Sequence, residues 1–217
     1  MSIIRRADSP VDGLNYSHRI SGVTAAKNKG NRQMNVSLVS LWLPILASGV
    51  VVFMASSLIW MVVNYHNSDW QELPDEDTAR MALKSAAPGK YSIPYAATAA
   101  ERKSAEWQEK FKEGPAAILT ILPHGSLAMG KQMVQWIIYC LAISFLVAYV
   151  ASVTVSAGAD YLNVFRIAGT VAVLAYAGAA PMRSIWFGQP WSATAKDVLD
   201  GVIYGFLTAG VFGWLWP

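Results

Sequence analysis

The stretch that decides the fold is the apolar run from Ser37 to Val63, SLVSLWLPILASGVVVFMASSLIWMVV. It contains no charged residue, and at about 1.5 Å per helical residue it exceeds the roughly 20 residues that cross a bilayer. Pro44 lies in its first turns, where a missing backbone donor matters least, and Trp42 and Trp60 lie near its ends, where an aromatic belt is expected. The run predicts an uncleaved membrane-spanning helix.

Three further apolar runs follow in the second half of the chain. Gln135–Val155 is uncharged, whereas Tyr161–Met182 contains Arg166 and Val198–Trp216 contains Asp200, each near the start of its run. A charge at such a position can reach the membrane surface or meet a helix terminus. Together the four runs predict an all-α integral membrane protein with four transmembrane helices.

Small residues recur at intervals of four along two of these runs, and such stripes predict faces on which helices pack. Lipid supplies no hydrophobic force between helices, so close approach through small side chains must supply the contact. The stripes are Gly201, Gly205, Ala209 and Gly213 in the last run, and Ser144, Ala148, Ser152 and Ser156 in the second. We expect residues 134–217 to form a three-helix transmembrane bundle.

Composition agrees with a membrane setting. Of the 217 residues, 54% are hydrophobic and only 14% are charged, which is too little charge for a soluble domain of this length. The formal net charge is +3, but the basic residues are scattered rather than gathered on one face, so no nucleic-acid partner is expected. The expected partners are the lipid bilayer and other membrane protein subunits. The single cysteine, Cys140, is interpreted as a packing residue.

The orientation in the membrane follows from the polar arm, residues 1–36, which precedes the first run. Its basic residues outnumber its acidic ones, which places the N-terminus in the cytoplasm, residues 64–133 in the periplasm and the C-terminus in the cytoplasm. Arg183 and Lys196 in the loop before the last run go against this trend. The basic residues of the arm are Arg5, Arg6, Arg19, Lys27, Lys29 and Arg32.

The periplasmic segment, residues 64–133, is predicted to be partly helical. One short helix follows Pro74 and the acidic run Asp75–Asp77, residue types that favour a first helical turn. A second helix covers Thr98–Lys112, with Glu106 and Lys110 spaced for an ion pair. Both are too short to bury a core, so we expect them to lie on the membrane surface or on a neighbouring protein.

Histidines are the first candidates for chemistry, because imidazole is a common metal ligand and an acid or base near neutral pH. His66 and His124 share the periplasmic segment, with Asp69 and the acidic run Asp75–Asp77 near the first of them, whereas His18 lies in the arm. A metal or haem site is conceivable there, but no two ligands have helical HxxxH or HxxE spacing. We predict no catalytic residue and no metal ligand, and a hydrogen-bonding or interfacial role for the two histidines.

Charges inside membrane runs suggest a function by default, and Arg166 and Asp200 are such charges. If the helices alternate in direction, the two lie near opposite membrane faces and do not pair. No polar array continues from either one, and the chain has no phosphate-cradling glycine loop, CxxC pair or nucleophile elbow. The possible functional residues are therefore His66, Asp69, Trp70, His124, Arg166 and Asp200.

The stretch directly after the first run, His66 to Asp77, is HNSDWQELPDED. It resembles an HxSDWxxLPDE motif of small uncharacterised bacterial inner-membrane proteins, and the resemblance takes in the loop Trp186–Trp191. It implies a bacterial inner (or intracytoplasmic) membrane and assigns no activity and no site residue.

Function is inferred from the absence of catalytic motifs and from the arm. The arm has no periodic apolar face, so it is expected to be disordered alone and to order on a partner surface. We therefore expect an accessory or structural subunit of a larger membrane complex, respiratory or photosynthetic, that requires no cofactor but has room for lipid or pigment at subunit boundaries. The alternatives are an oligomeric transporter or channel, and a membrane enzyme with a metal or haem site near His66 and His124.

Overall fold

The structure of the protein, a computed structural model, describes residues 36–125 and 129–217. The hypotheses about the polar arm, including His18, lie outside the described residues except at Val36. That side chain is buried against the helices of the bundle.

The first apolar run forms one continuous helical rod from Leu38 to Val63. It begins as a 3₁₀ turn at Leu38–Leu41, continues as helix α1 over Trp42–Leu58, and ends as a π-helical turn over Ile59–Val63. Asn64 ends the rod with φ at 54°, a left-handed conformation that asparagine tolerates better than most residues. The chain then reverses into a 3₁₀ turn at Tyr65–Asp69.

The connecting segment, residues 70–125, contains only short elements. They are α2 (Glu76–Leu83), β1 (Gly89–Ile93), α3 (Ala99–Arg102), α4 (Ala105–Glu113) and β2 (Ala117–Ile121). The helix expected over Thr98–Lys112 is divided in two, because the Ser104 hydroxyl accepts a hydrogen bond from the Trp107 amide and starts a new helix. The antiparallel pairing of β1 with β2 was not predicted from the sequence.

Four helices make up the rest of the chain. They are α5 (Met129–Thr154), α6 (Tyr161–Ala177), α7 (Ala180–Phe187) and α8 (Trp191–Trp214). Among the described residues, three helical runs are long and apolar enough to cross a membrane, namely Leu38–Val63, Met129–Thr154 and Tyr161–Phe187. The prediction of a mostly helical membrane protein is thereby confirmed. Helix α8 is 24 residues long but carries three charged residues in its first three turns, and it is not among the three.

The glycine stripe of α8 lies against α6, and the two backbones approach closely there. A Cβ atom added to Gly201 would lie 2.8 Å from the backbone nitrogen of Ala177, and one added to Gly205 would lie 2.9 Å from that of Val173. The serine stripe of α5 faces α1, where the Ser48 hydroxyl donates to the Ser144 hydroxyl at 2.9 Å. The glycine stripe and Ser144 therefore lie at helix-to-helix seams, whereas Ser156 is exposed and lies beyond the end of α5.

Helix α8 runs antiparallel to α6 and returns the chain to the loop between α5 and α6. At its far end the Trp216 indole donates to the carbonyl of Ser156 at 2.9 Å, and the Gly158 amide donates to the carbonyl of Pro217 at 2.7 Å. Its first turns lie against the Tyr65–Asp69 turn, so the end of the first rod and the start of α8 meet at one end of the bundle.

Candidate functional site

A buried polar cluster joins the turn after the first rod to the first turns of α8. Because Asn64 reverses the chain, the 3₁₀ turn that follows it folds back on the bundle and points His66 inward. The His66 side chain is only 3% exposed. Trp60, in the last turn of the rod, stacks on the imidazole with ring centroids 4.1 Å apart and planes inclined by 4°.

Each ring nitrogen of His66 faces a carboxylate oxygen. Nδ1 lies 2.8 Å from Oδ2 of Asp69, and Nε2 lies 3.2 Å from Oδ2 of Asp200. The first partner is three residues away in the same turn, whereas the second lies on α8. His66 therefore connects the turn to the last helix.

Lys196 closes the turn onto α8 with three hydrogen bonds. Its ammonium group donates to the carbonyl of Tyr65 at 2.9 Å, to the hydroxyl of Ser68 at 2.7 Å and to Oδ1 of Asp69 at 2.6 Å. These contacts use all three ammonium donors. The hydrogen bond from Lys196, assisted by one from His66, holds the pKa of Asp69 below its usual range although desolvation opposes the shift.

Asp200 accepts hydrogen bonds from three side chains and is only 4% exposed. The Tyr65 hydroxyl donates to Oδ1, while the Tyr204 hydroxyl, at 3.3 Å, and His66 share Oδ2. A carboxylate with this many donors is well satisfied despite its burial. We call the six joined residues the His66 cluster: Tyr65, His66, Asp69, Lys196, Asp200 and Tyr204.

The number of protons in the cluster follows from its geometry. Both nitrogens of His66 face acceptors, so both contacts are hydrogen bonds only if the imidazole carries two hydrogens or if one of the two carboxyl groups is protonated. With a doubly protonated imidazole, the two cations His66 and Lys196 balance two carboxylates. With one protonated carboxyl group, the Lys196 cation balances the one remaining carboxylate. The cluster is thus neutral as a whole, which lowers the cost of burying it.

The structure brings together three of the six possible functional residues, His66, Asp69 and Asp200. The Trp70 side chain is 79% exposed, and Arg166 and His124 are exposed as well. None of these last three makes a side-chain hydrogen bond to another described residue.

Sequence reasoning named Asp200 as a candidate but missed Tyr65, Lys196 and Tyr204, which complete the cluster. Lys196, Asp200 and Tyr204 are spaced by four residues and so lie on one face of α8. This spacing could have indicated a polar face on the last helix. Nothing in the sequence links that face to the turn after the first rod, because the residues are more than 120 positions apart.

The cluster does not fit the hypothesis of a metal or haem site at His66. Both ring nitrogens are engaged by carboxylates, the ring face is covered by Trp60, and Lys196 occupies the free oxygen of Asp69. Among residues 36–125 and 129–217, no group of three or more His, Cys, Asp or Glu side chains is placed to hold a metal ion.

Comparison with known protein families, with curated proteins and with solved structures finds no match to this chain.

Proposed function

We propose that this chain is an accessory or structural subunit of a larger membrane protein complex, and that its connecting segment is the surface on which a neighbouring subunit docks. The observation that carries the proposal is the absence of any buried residue from position 70 to position 125, a range that the structure describes in full. A segment with elements but no core requires a surface supplied from outside.

The elements of the connecting segment cannot be stable on their own. Its helices are four to nine residues long, and its sheet has two strands of five residues each. Isolated helices and hairpins of this size are marginal in water. Several of its large apolar side chains are nevertheless exposed, among them Tyr95 at 74% and Leu122 at 63%.

A groove between the small sheet and the end of α7 is the proposed docking position. Its volume is about 700 Å³, and its walls include Ile93, Trp107, Phe111 and Trp186. The indole nitrogen of Trp107 is buried there without an acceptor in the part of the chain that the structure describes. A backbone carbonyl of a neighbouring subunit would satisfy this donor, which favours a protein as the occupant.

The His66 cluster would position this docking segment. It fixes the turn that leads from the first rod into the connecting segment, and it does so with bonds to α8 rather than to the segment itself. The segment can then be presented at a defined place on the bundle although its own elements are short.

We further propose four membrane spans, with α8 as the fourth, in a bacterial inner (or intracytoplasmic) membrane. The antiparallel packing of α8 on α6, from Gly201 beside Ala177 to Gly213 beside Tyr161, supports a fourth span because it extends over the whole length of α6. The N-terminus would be cytoplasmic and the connecting segment periplasmic. In this topology Lys196 lies on the periplasmic side, where the positive-inside trend disfavours a free positive charge. Its ammonium group is paired with Asp69 at 2.6 Å, so it is not a free charge and counts less against the topology.

Native purification tests the subunit hypothesis. We expect the wild-type protein to migrate with a large complex at fixed stoichiometry, and a Trp107→Ala variant to be lost from it. Trp214→Ala is the matched control, since it removes an exposed tryptophan at the opposite end of the bundle. A stable homo-oligomer that carries flux in liposomes would overturn the proposal in favour of a transporter or channel. A reporter fused at Glu109 that is found in the cytoplasm would overturn the proposed topology but not the subunit role.

A further inference from the structure

A second cavity lies beside the His66 cluster, at the same end of the bundle, and no part of the proposed function uses it. Its volume is about 300 Å³, near the lower limit of ligand sites. Aromatic rings form much of its wall, among them Trp60, Trp136, Tyr139 and Tyr176. The lining also includes small residues and the charged side chains of Arg183, Asp197 and Asp200. The cavity therefore suits a small group that carries both a positive and a negative charge.

The charged side chains of this cavity have capacity for a ligand. Arg183 makes no ion pair or side-chain hydrogen bond with any described residue. Asp197 accepts one hydrogen bond, from Gln189 to Oδ2 at 2.8 Å, which leaves Oδ1 without a donor among residues 36–125 and 129–217. Asp200 also lines the cavity, but its oxygens already accept hydrogen bonds within the His66 cluster, so Asp197 is the carboxylate with an open acceptor.

The hydroxyl of Tyr176 is a further polar group of this cavity. Tyr176 lines the cavity, and in the described part of the chain the only partner within reach of its buried oxygen is the thiol of Cys140, which is a weak one. A polar group bound in the cavity would give this hydroxyl a stronger partner.

An apolar groove shares two walls with the cavity. It occupies about 490 Å³ between the end of the first rod and the start of α5, and its lining includes Met61, Met129 and Met133. Trp60 and Trp136 belong to both the groove and the cavity. A polar cavity beside an apolar groove suits an amphiphile, with its headgroup in the cavity and its hydrocarbon chain in the groove.

We propose that the cavity and groove bind a phospholipid whose headgroup joins a primary ammonium to a phosphate, the chemistry of phosphatidylethanolamine. The ammonium lies against Asp197 and the aromatic walls, where hydrogen bonds and cation–π attraction both favour it. The phosphate lies at Arg183, whose planar fork suits phosphate oxygens. One acyl chain follows the methionine-lined groove.

The charges of the cavity argue against other headgroups. An anionic headgroup without an amine would gain Arg183 but would bring its charge against two carboxylates. A trimethylammonium group would keep the cation–π attraction but could not donate hydrogen bonds to Asp197 or Tyr176. The site goes beyond the proposed subunit role and does not rest on it.

Lipid binding to the purified, delipidated full-length protein tests the proposal, with affinities measured by native mass spectrometry. We expect phosphatidylethanolamine to bind about tenfold more tightly than phosphatidylglycerol, and Arg183→Gln to weaken its binding about tenfold, as loss of one charge-assisted contact implies. Arg166→Gln is the matched control, because this exposed arginine of α6 does not line the cavity. It should bind phosphatidylethanolamine like the wild type.

Three results would overturn the site. The two lipids could bind equally well to the wild type, or Arg183→Gln could bind phosphatidylethanolamine as tightly as Arg166→Gln does. Soluble phosphoethanolamine could also bind as tightly as the lipid, which would assign the cavity to a soluble compound. Arg183 is exposed, so its variant should fold, and comparison of unfolding temperatures before lipid addition checks this. Comigration with a complex is a separate measurement, so the two proposals can fail independently.

Discussion

The helical bundle and the connecting segment satisfy their polar and apolar groups in opposite ways. In the bundle, His66 is 3% exposed and both of its ring nitrogens have partners. In the connecting segment no residue is buried, and the indole nitrogen of Trp107 has no acceptor among the described residues. From this difference we infer that most of the stability of the chain resides in the bundle, and it is the basis of the proposal that a partner completes the groups of the segment.

The two regions also differ in how far apart in the sequence their interacting residues lie. Caps and pairs within a few residues define the segment, such as the Asp75 carboxylate that accepts from the Thr78 amide at 3.1 Å. Contacts between residues far apart in sequence define the bundle, such as Lys196 with Asp69. Substitutions in the two regions should therefore differ greatly in their effect on unfolding.

The largest effect is expected from Asp200→Asn, which changes a buried carboxyl group that accepts hydrogen bonds from three side chains of the His66 cluster. The amide keeps the size of the side chain but turns one of its two oxygens into a donor that faces other donors. Buried donors then lose their acceptor, which costs about 1–3 kcal/mol for each of them. Thermal or denaturant unfolding in detergent without added lipid measures the change. Asp197→Asn on the same helix is the control and should change stability little, since Asp197 makes one hydrogen bond, to Gln189. Equal stability of the two variants would contradict the role of the cluster.

Gly205→Ala should have the next largest effect, because it adds a methyl group at the seam between α6 and α8. The new Cβ would lie 2.4 Å from a methyl group of Val173 and 2.9 Å from its backbone nitrogen, so the helices must separate. Overpacking of this kind costs about 1–3 kcal/mol. Gly210→Ala on the same helix is the control, since its Cβ would meet only the Tyr161 hydroxyl at 3.7 Å. If the two variants unfold at the same midpoint, α6 and α8 do not pack closely at Gly205.

A smaller effect is expected from pH through Asp69. Its pKa in the folded protein lies below its ordinary value of 3.8, chiefly because Lys196 donates a hydrogen bond to it. A depressed folded pKa means that the stabilisation is complete above the ordinary value and is lost as the pH falls through the folded value. From about pH 5 downward, the wild type should lose stability more steeply than Asp69→Asn does. Glu72→Gln, which removes a carboxylate outside the cluster, should keep the steep loss, and identical slopes for all three proteins would contradict the prediction.

The apolar rods could be predicted from the sequence because hydrophobicity over some 20 residues is a local property. The glycine stripe of α8 likewise indicated a packing face, although not that α6 is its partner. The His66 cluster could not be predicted, because it depends on the reversal at Asn64 and on the rotation of α8 that turns Asp200 toward the turn. The pairing of β1 with β2 also escaped prediction, since two five-residue strands separated by 23 positions give no strong local signal.

The smallest effect is expected from Glu106→Gln in the connecting segment. Glu106 and Lys110 form an ion pair at 2.6 Å, yet the two side chains are 78% and 59% exposed, and water and salt screen such a pair. The ion pair lowers the pKa of Glu106 and raises that of Lys110. It lies, however, in the connecting segment, which by the contrast drawn above does not unfold together with the bundle. We therefore expect the unfolding midpoint of the purified chain to remain at the wild-type value at both low and high salt. A shift at low salt that disappears at high salt would mean that the segment unfolds together with the bundle. The contrast between the two regions would then be wrong, and the segment would not need a partner to be ordered.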